Sequence, residues 1–217
     1  MSDSSLRQGY GPAQVELLAR VERDLRARMS AAKPRRLAHS LSVARTAEEL
    51  ALLYGEDPFE ARLAGLLHDW DKVLDGEEQL AEAMRQGIDL GVELSLVLPL
   101  LHGLTAAGRL PRLYPELPES VIRAIRLHTL GSARMTGLDM ILFVADGIEP
   151  LRKASPGIAR VREMLARGAS LPELYWESFA SGVSFVIETR RYLYPGTIET
   201  YNQIVLERAR DAARGQR

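Results

Sequence analysis

The sequence predicts an all-α fold, and three observations carry that expectation. Apolar residues recur at the 3.6-residue helical period nearly throughout, from about residue 13 onward. No run alternates apolar and polar residues between hairpin signals, as a strand would. Most glycines sit where a periodic stretch stops, and no GxGxxG, Walker loop or GxSxG is present.

The elements follow in order. Residues 1–12 are polar and broken by Gly9, Gly11 and Pro12, so they read as a loose end. Val15, Leu17, Leu18, Val21 and Leu25 form one stripe and predict a helix over about 13–31. A second helix, 36–54, follows Pro34, turns Leu37, Leu41, Val43, Ala44, Ala47, Leu50 and Leu53 toward the core, and stops at Gly55. Asp57-Pro58-Phe59-Glu60 is a start signal: Asp57 caps, Pro58 suits the first turn and Glu60 can reach back. That helix is expected to run to about Val73, with a short helix next over 76–86. Residues 93–109 predict one or two short helices interrupted near Pro99, and Pro111, Pro115 and Pro118 predict a loop. Helices at about 119–128, 137–148, 157–167, 171–193 and 197–213 complete the chain. There is no internal repeat, so 13–217 is expected to form a single domain.

Composition narrows the function classes. The chain has 217 residues, 46 % hydrophobic and 26 % charged, ample for a sizeable core. Twenty-eight Lys and Arg against 29 Asp and Glu give −1, which argues against a basic footprint for a nucleic-acid polymer. The absence of Cys removes disulfides, thiol catalysis, iron–sulfur clusters and Cys-based zinc sites. The longest apolar stretch, about 94–104, contains Pro99 and is too short to cross a membrane. No signal peptide is evident, and the chain reads as cytoplasmic.

The chemistry lies in the four histidines. His39, His68, His102 and His128 all stand in apolar helical segments, none on an evidently polar face. Asp69, next to His68, and Asp146, in MILFVADGIEP, share that setting. Burying an unpaired carboxylate costs several kcal/mol or more, so both need a cation or a dense hydrogen-bond shell. Neutral imidazoles with ionised carboxylates suit a divalent Fe, Mn, Co or Ni. On a continuous helix Lys72 projects from the side of His68 and Asp69, and Arg36 stands similarly to His39. Cations beside a metal suit phosphate oxygens.

His39, the pair His68-Asp69 and the distant Asp146 resemble the H…HD…D pattern of the HD-domain phosphohydrolases. AGLLHD with Lys72, His102 in LHG, His128 in HTLG, and ADGIEP with Leu151 and Arg152 resemble one branch closely. That branch is the YqeK family of symmetrical bis(5′-nucleosyl)-tetraphosphatases. Met135, Leu138, Asp139 and the segment Thr197-x-x-x-Tyr201-Asn202 are similar to it too, and the resemblance spans about 33–205.

The resemblance implies an all-helical, metal-dependent hydrolase that splits diadenosine tetraphosphate, a small dinucleotide, into two ADP. It implies His39, His68, Asp69 and Asp146 as ligands of iron or a similar ion. His102 and His128 would complete a second metal site, or contact phosphate directly if one ion is bound. Arg36, Lys72 and Arg152 would hold phosphate oxygens, Thr129 would sit at the nucleotide, and Asp69 or a neutral imidazole would accept the water proton.

Trp70 and Asp71 depart from the pattern, where at least one small residue is expected. Asp71 either faces solvent, pairs with Lys72 or adds negative charge to the pocket. The N-terminal helix is longer than the family core needs and reads as a capping helix or an interface. Trp176, Phe179, Phe185 and Tyr192 suit core or a homodimer surface, Thr129 equally suits a helix end, and Glu149 suits a partner for a ligand histidine. The competing readings are another HD phosphohydrolase acting on nucleotides, or an HD module that binds a nucleotide without catalysis.

Overall fold

A computed structural model describes residues 9–31 and 33–215. Among the described residues ten α-helices form: α1 (Pro12–Met29), α2 (Pro34–Tyr54), α3 (Pro58–Leu67), α4 (Gly76–Arg85), α5 (Leu98–Leu113), α6 (Glu119–Leu127), α7 (Gly137–Ile148), α8 (Pro156–Ala166), α9 (Leu171–Glu188) and α10 (Pro195–Gly215). Two 3-10 turns, Trp70–Val73 and Leu94–Val97, precede α4 and α5. Among the described residues there is no strand.

The centre of the fold is α3, whose apolar residues run all round it. From Ala61 to Leu67 every residue is buried, Arg62 included, and Arg62 is paired with the buried Glu48 of α2 at 2.6 Å. A helix apolar on every face has to be enclosed, and α1, α2, α6 and α7 enclose α3. Gly65 makes the α2 contact possible, since a Cβ there would stand 2.5 Å from the Ala44 Cα. Beyond this core, α5 joins α6 to α4, while α8 and α9 cover α7.

Asp57 caps α3 through the Phe59 and Glu60 amides. Glu60 does not reach back; it accepts a hydrogen bond from the Ser120 hydroxyl of the neighbouring α6. The helix expected to reach Val73 stops at Leu67, and the chain continues through His68 and Asp69 into the 3-10 turn. Asp69, at φ −97° and ψ 18°, lies outside helical geometry.

Five further expectations are corrected. Leu53 is 63 % exposed, because Leu50 and Ala51 take the buried side of this last turn and leave Leu52 and Leu53 on the solvent side. Pro99 starts α5 instead of interrupting it, and Pro111 lies inside the same helix. The buried Leu110 and Tyr114 flank Pro111, and the Tyr114 hydroxyl donates to Asp24 at 3.0 Å, so packing carries the helix past its proline. The helix expected to reach residue 193 ends at Glu188, where Arg190 turns to φ 55°. Of the end expected to be loose, residues 1–8 lie outside the described residues. Tyr10 is not loose: its ring meets Phe59 edge-on at 5.8 Å and its hydroxyl donates to Glu48.

Candidate metal centre

The break after α3 brings two side chains to one point that several helices share. His39 comes from α2, His68 and Asp69 from the end of α3, His102 from α5, His128 from the end of α6 and Asp146 from α7. His39 Nε2 lies 3.0 Å from an Asp146 carboxylate oxygen and 3.8 Å from Asp69. His68 Nε2 lies 3.7 Å from Asp69 and 3.8 Å from Asp146. His102 Nε2 is 3.0 Å from the other Asp69 oxygen and 3.1 Å from His128 Nε2.

The second nitrogens set the tautomers. A carbonyl or carboxylate oxygen can only accept, so each Nδ1 must donate. His68 donates to the Gly65 carbonyl at 2.8 Å, His102 to Pro99 at 3.1 Å and His128 to Ile125 at 2.6 Å. His39 donates to the buried Glu149 carboxylate at 3.0 Å. A neutral imidazole with its proton on Nδ1 carries a bare lone pair on Nε2. Four Nε2 atoms, each able to offer such a lone pair to a cation, therefore converge on two carboxylates.

That convergence repels itself unless something positive lies inside it. The Nε2 atoms of His39 and His68 are buried with no hydrogen-bond partner. Two sets of ligand atoms, one from His39, His68 and Asp146 and one from His68, Asp69 and His128, each fall within 4.8 Å of one another. His68 is common to both. A divalent cation fits the donor set by charge, by ligand type and by the orphaned nitrogens.

Burial and charge agree. Burial holds the His68 imidazole below its ordinary pKa, and burial beside His102 and His68 holds His128 at about 3. His128 therefore stays neutral at any ordinary pH, and the shift at His68 favours its neutral form. Burial opposes ionisation of Asp69 and Asp146, but positive charge on His68 and His102 around the first, and on His39 and Arg152 around the second, holds both well below the carboxylate range, the charge that an ion on those imidazoles would supply. For His39, burial is outweighed by Asp146, Glu149 and Asp69, so its pKa is raised; without an ion a proton on Nε2 is favoured there, and a cation would take that proton's place.

The imidazoles form the floor, and the open side is cationic. Arg36 reaches Asp69 at 3.2 Å and Arg152 reaches Asp146 at 2.6 Å, and both remain well exposed. Lys72 faces Asp69 and Asp146 alongside Arg36 and Arg152, with burial lowering its pKa. It arrives there through the 3-10 turn, in which its amide bonds to the Asp69 carbonyl, and not by helical spacing from His68. Thr129 gives its hydroxyl to the Leu100 carbonyl, joining the end of α6 to α5.

Asp71 neither faces solvent nor pairs with Lys72. It is fully buried against Arg28 and Arg109. Arg162 was not foreseen: from α8 it donates to the carbonyls of Ile148, Glu149 and Arg152, holding the segment that carries Glu149 and Arg152.

Comparison with known proteins agrees with this geometry. The family described as HD domain matches residues 36–151. A symmetrical bis(5′-nucleosyl)-tetraphosphatase of Halalkalibacterium halodurans is 34 % identical over 172 residues, which is 79 % of this chain and 90 % of the relative. A protein of the same description from Staphylococcus aureus is 36 % identical over 169 residues, 77 % and 86 % of the two chains. A crystal structure from Clostridium acetobutylicum, described as a predicted HD superfamily hydrolase involved in NAD metabolism, is 33 % identical. It superposes with a TM-score of 0.77 over 87 % of this chain and 97 % of that one. With its helical fold, its H…HD…D set and these relatives, the chain belongs to the HD-domain family and, within it, to the YqeK-type symmetrical bis(5′-nucleosyl)-tetraphosphatases.

Proposed function

We propose that this chain is a metal-dependent hydrolase that cleaves diadenosine tetraphosphate, and related dinucleoside polyphosphates, symmetrically into two ADP. The observation that carries the reading is the convergence of four imidazole Nε2 atoms on Asp69 and Asp146 beneath a cationic rim. His39, His68, Asp69 and Asp146 would hold the ion, with His102 and His128 at a second ion or at the phosphate. Iron is the proposed resident metal, with Mn, Co or Ni as substitutes.

A divalent ion supplies Lewis-acid polarisation of a phosphoryl oxygen and a water acidic enough to react near neutral pH. The chain's own residues do the rest. Arg36, Lys72 and Arg152 bind phosphate oxygens and offset the charge on the transferring group. Thr129 would lie at the nucleotide end, beside His128. Glu149 locks the His39 tautomer. Attack on an inner phosphorus forms a new P–O bond and breaks the bridging one, so ADP leaves. The water proton passes to Asp69 or to a neutral imidazole.

The same reading has 13–217 acting as one domain in the cytoplasm, on a small-molecule substrate with no nucleic-acid polymer and no membrane. Among the described residues no helix is long and apolar enough to cross a membrane. A homodimer belongs to the reading as well; Phe185, Ile187, Ile198 and Leu206 of α9 and α10 are exposed apolar side chains it would use, and light scattering reports it.

The test is product analysis with Fe, Mn, Co and Ni supplied in turn. ADP as the sole product, lost in Asp69→Ala and His68→Ala, supports the reading. AMP with ATP would keep the HD phosphohydrolase and change the attacked phosphorus. No turnover with any metal, while ADP still binds, would leave a nucleotide-binding module.

A further inference from the structure

The turn that follows His68 is gripped by groups that the chemistry above does not use. Asp71 is 0 % exposed. Its carboxylate meets Arg28 of α1 at 3.3 Å and Arg109 of α5 at 3.1 Å. Arg28 also donates to the Trp70 carbonyl at 3.0 Å and lies over the Trp70 indole, 5.1 Å from its ring centre. Arg109 extends the chain of charges to Glu82 of α4 at 3.1 Å.

These contacts bear on Asp69. Its backbone is outside the helix, so no regular hydrogen-bond ladder dictates where its carboxylate points. The short turn transmits position instead, with the Lys72 amide on the Asp69 carbonyl and the Leu74 amide on the Asp71 carbonyl. One helix, α5, touches the turn twice: His102 at Asp69, and Arg109, two helical turns later, at Asp71. Apolar side chains of similar volume would staple α1 and α5 to this turn without the desolvation cost of buried charge. What ion pairs add is direction.

We propose that Asp71, clamped by Arg28 and Arg109, is a positioning residue that aims Asp69 and Lys72 into the site, which makes α1 a working part of the centre and not a cap. The proposal rests on the reading of Asp69 as a metal ligand. It explains why Asp71 replaces the small residue the family pattern leads one to expect: the added carboxylate is turned away from the phosphates and spent on holding the turn.

The test compares the full chain with Asp71→Asn, Arg28→Met and a packing control on the same helix, Leu25→Ala. Mn²⁺ affinity by titration calorimetry, kcat and KM, and melting temperature are measured for each. Asp71→Asn and Arg28→Met should each weaken Mn²⁺ binding about tenfold and lower kcat. Leu25→Ala should lower the melting temperature and leave Mn²⁺ affinity as in the parent. Parental Mn²⁺ affinity in both charge variants overturns the proposal, and so does an equal loss in Leu25→Ala, which would reduce the clamp to general stability. Failure of the parent chain itself to bind Mn²⁺ would strike the ligand reading, a result distinct from either.

Discussion

Glu149 holds His39 in one tautomer from a position 1 % exposed, so its removal would reach the proposed metal through its ligand, without contact of its own. Glu149→Ala should weaken metal binding or activity about 10–100-fold, and Glu149→Gln, which keeps an acceptor, by less; titration calorimetry with Mn²⁺ decides. Tyr175 gives a second prediction, at alkaline pH. Its hydroxyl donates to the Ser132 carbonyl and accepts from the Ser132 amide, and burial pushes its pKa up to about 12. The folded value exceeds the ordinary 10, so the stabilisation is complete below pH 10 and lost as pH rises toward 12. The melting temperature should fall through that window, less steeply in Tyr175→Phe. The ligand candidates were legible because His and Asp in apolar runs are expensive without a shared purpose. Arg162 was not: a surface-type side chain does not reveal which carbonyls it will reach.

At the scale of elements, the α2–α3 contact brings two backbones unusually close at Gly65. Gly65→Ala would drive a methyl group against the Ala44 backbone, where no flexible side chain can yield. It should cost about 1–3 kcal/mol or more, read from the urea midpoint, and the strain would reach His68 through the Gly65 carbonyl. Gly103 plays the same part inside the site. A Cβ there would stand 2.9 Å from both the His128 ring and the Ile125 carbonyl oxygen that His128 Nδ1 bonds, so Gly103→Ala should weaken metal binding as well as lower stability. Periodicity and caps made most helices legible to within a few residues. They failed where the chain has to leave the helix for the site. Nothing in the apolar run to Leu67 announces the break at His68 and Asp69, because the contacts that hold the turn come from Arg28 and Arg109, far away in sequence.

For the whole molecule, the centre is where α2, α3, α5, α6 and α7 meet, so an ion there ties the fold together. A metal at one hundred times its Kd would stabilise the chain by about 2.7 kcal/mol. Chelation should therefore lower the melting temperature by about 5–10 °C, and His68→Ala should abolish that difference. The all-α class was legible from pattern alone; the way the helices surround α3 was not, since it depends on how close Gly65 lets two backbones come. The distances along the chain have a last consequence. His39 and Glu149 meet across 110 residues. During synthesis, the donor set that needs Asp146 cannot close until that residue has left the ribosome, and the one that needs His128 closes only slightly earlier. Metal loading must come late in the life of a nascent chain. A fragment cut short before His128 holds no complete donor set, and so translation abandoned before that point leaves no stray nucleotide-cleaving activity behind.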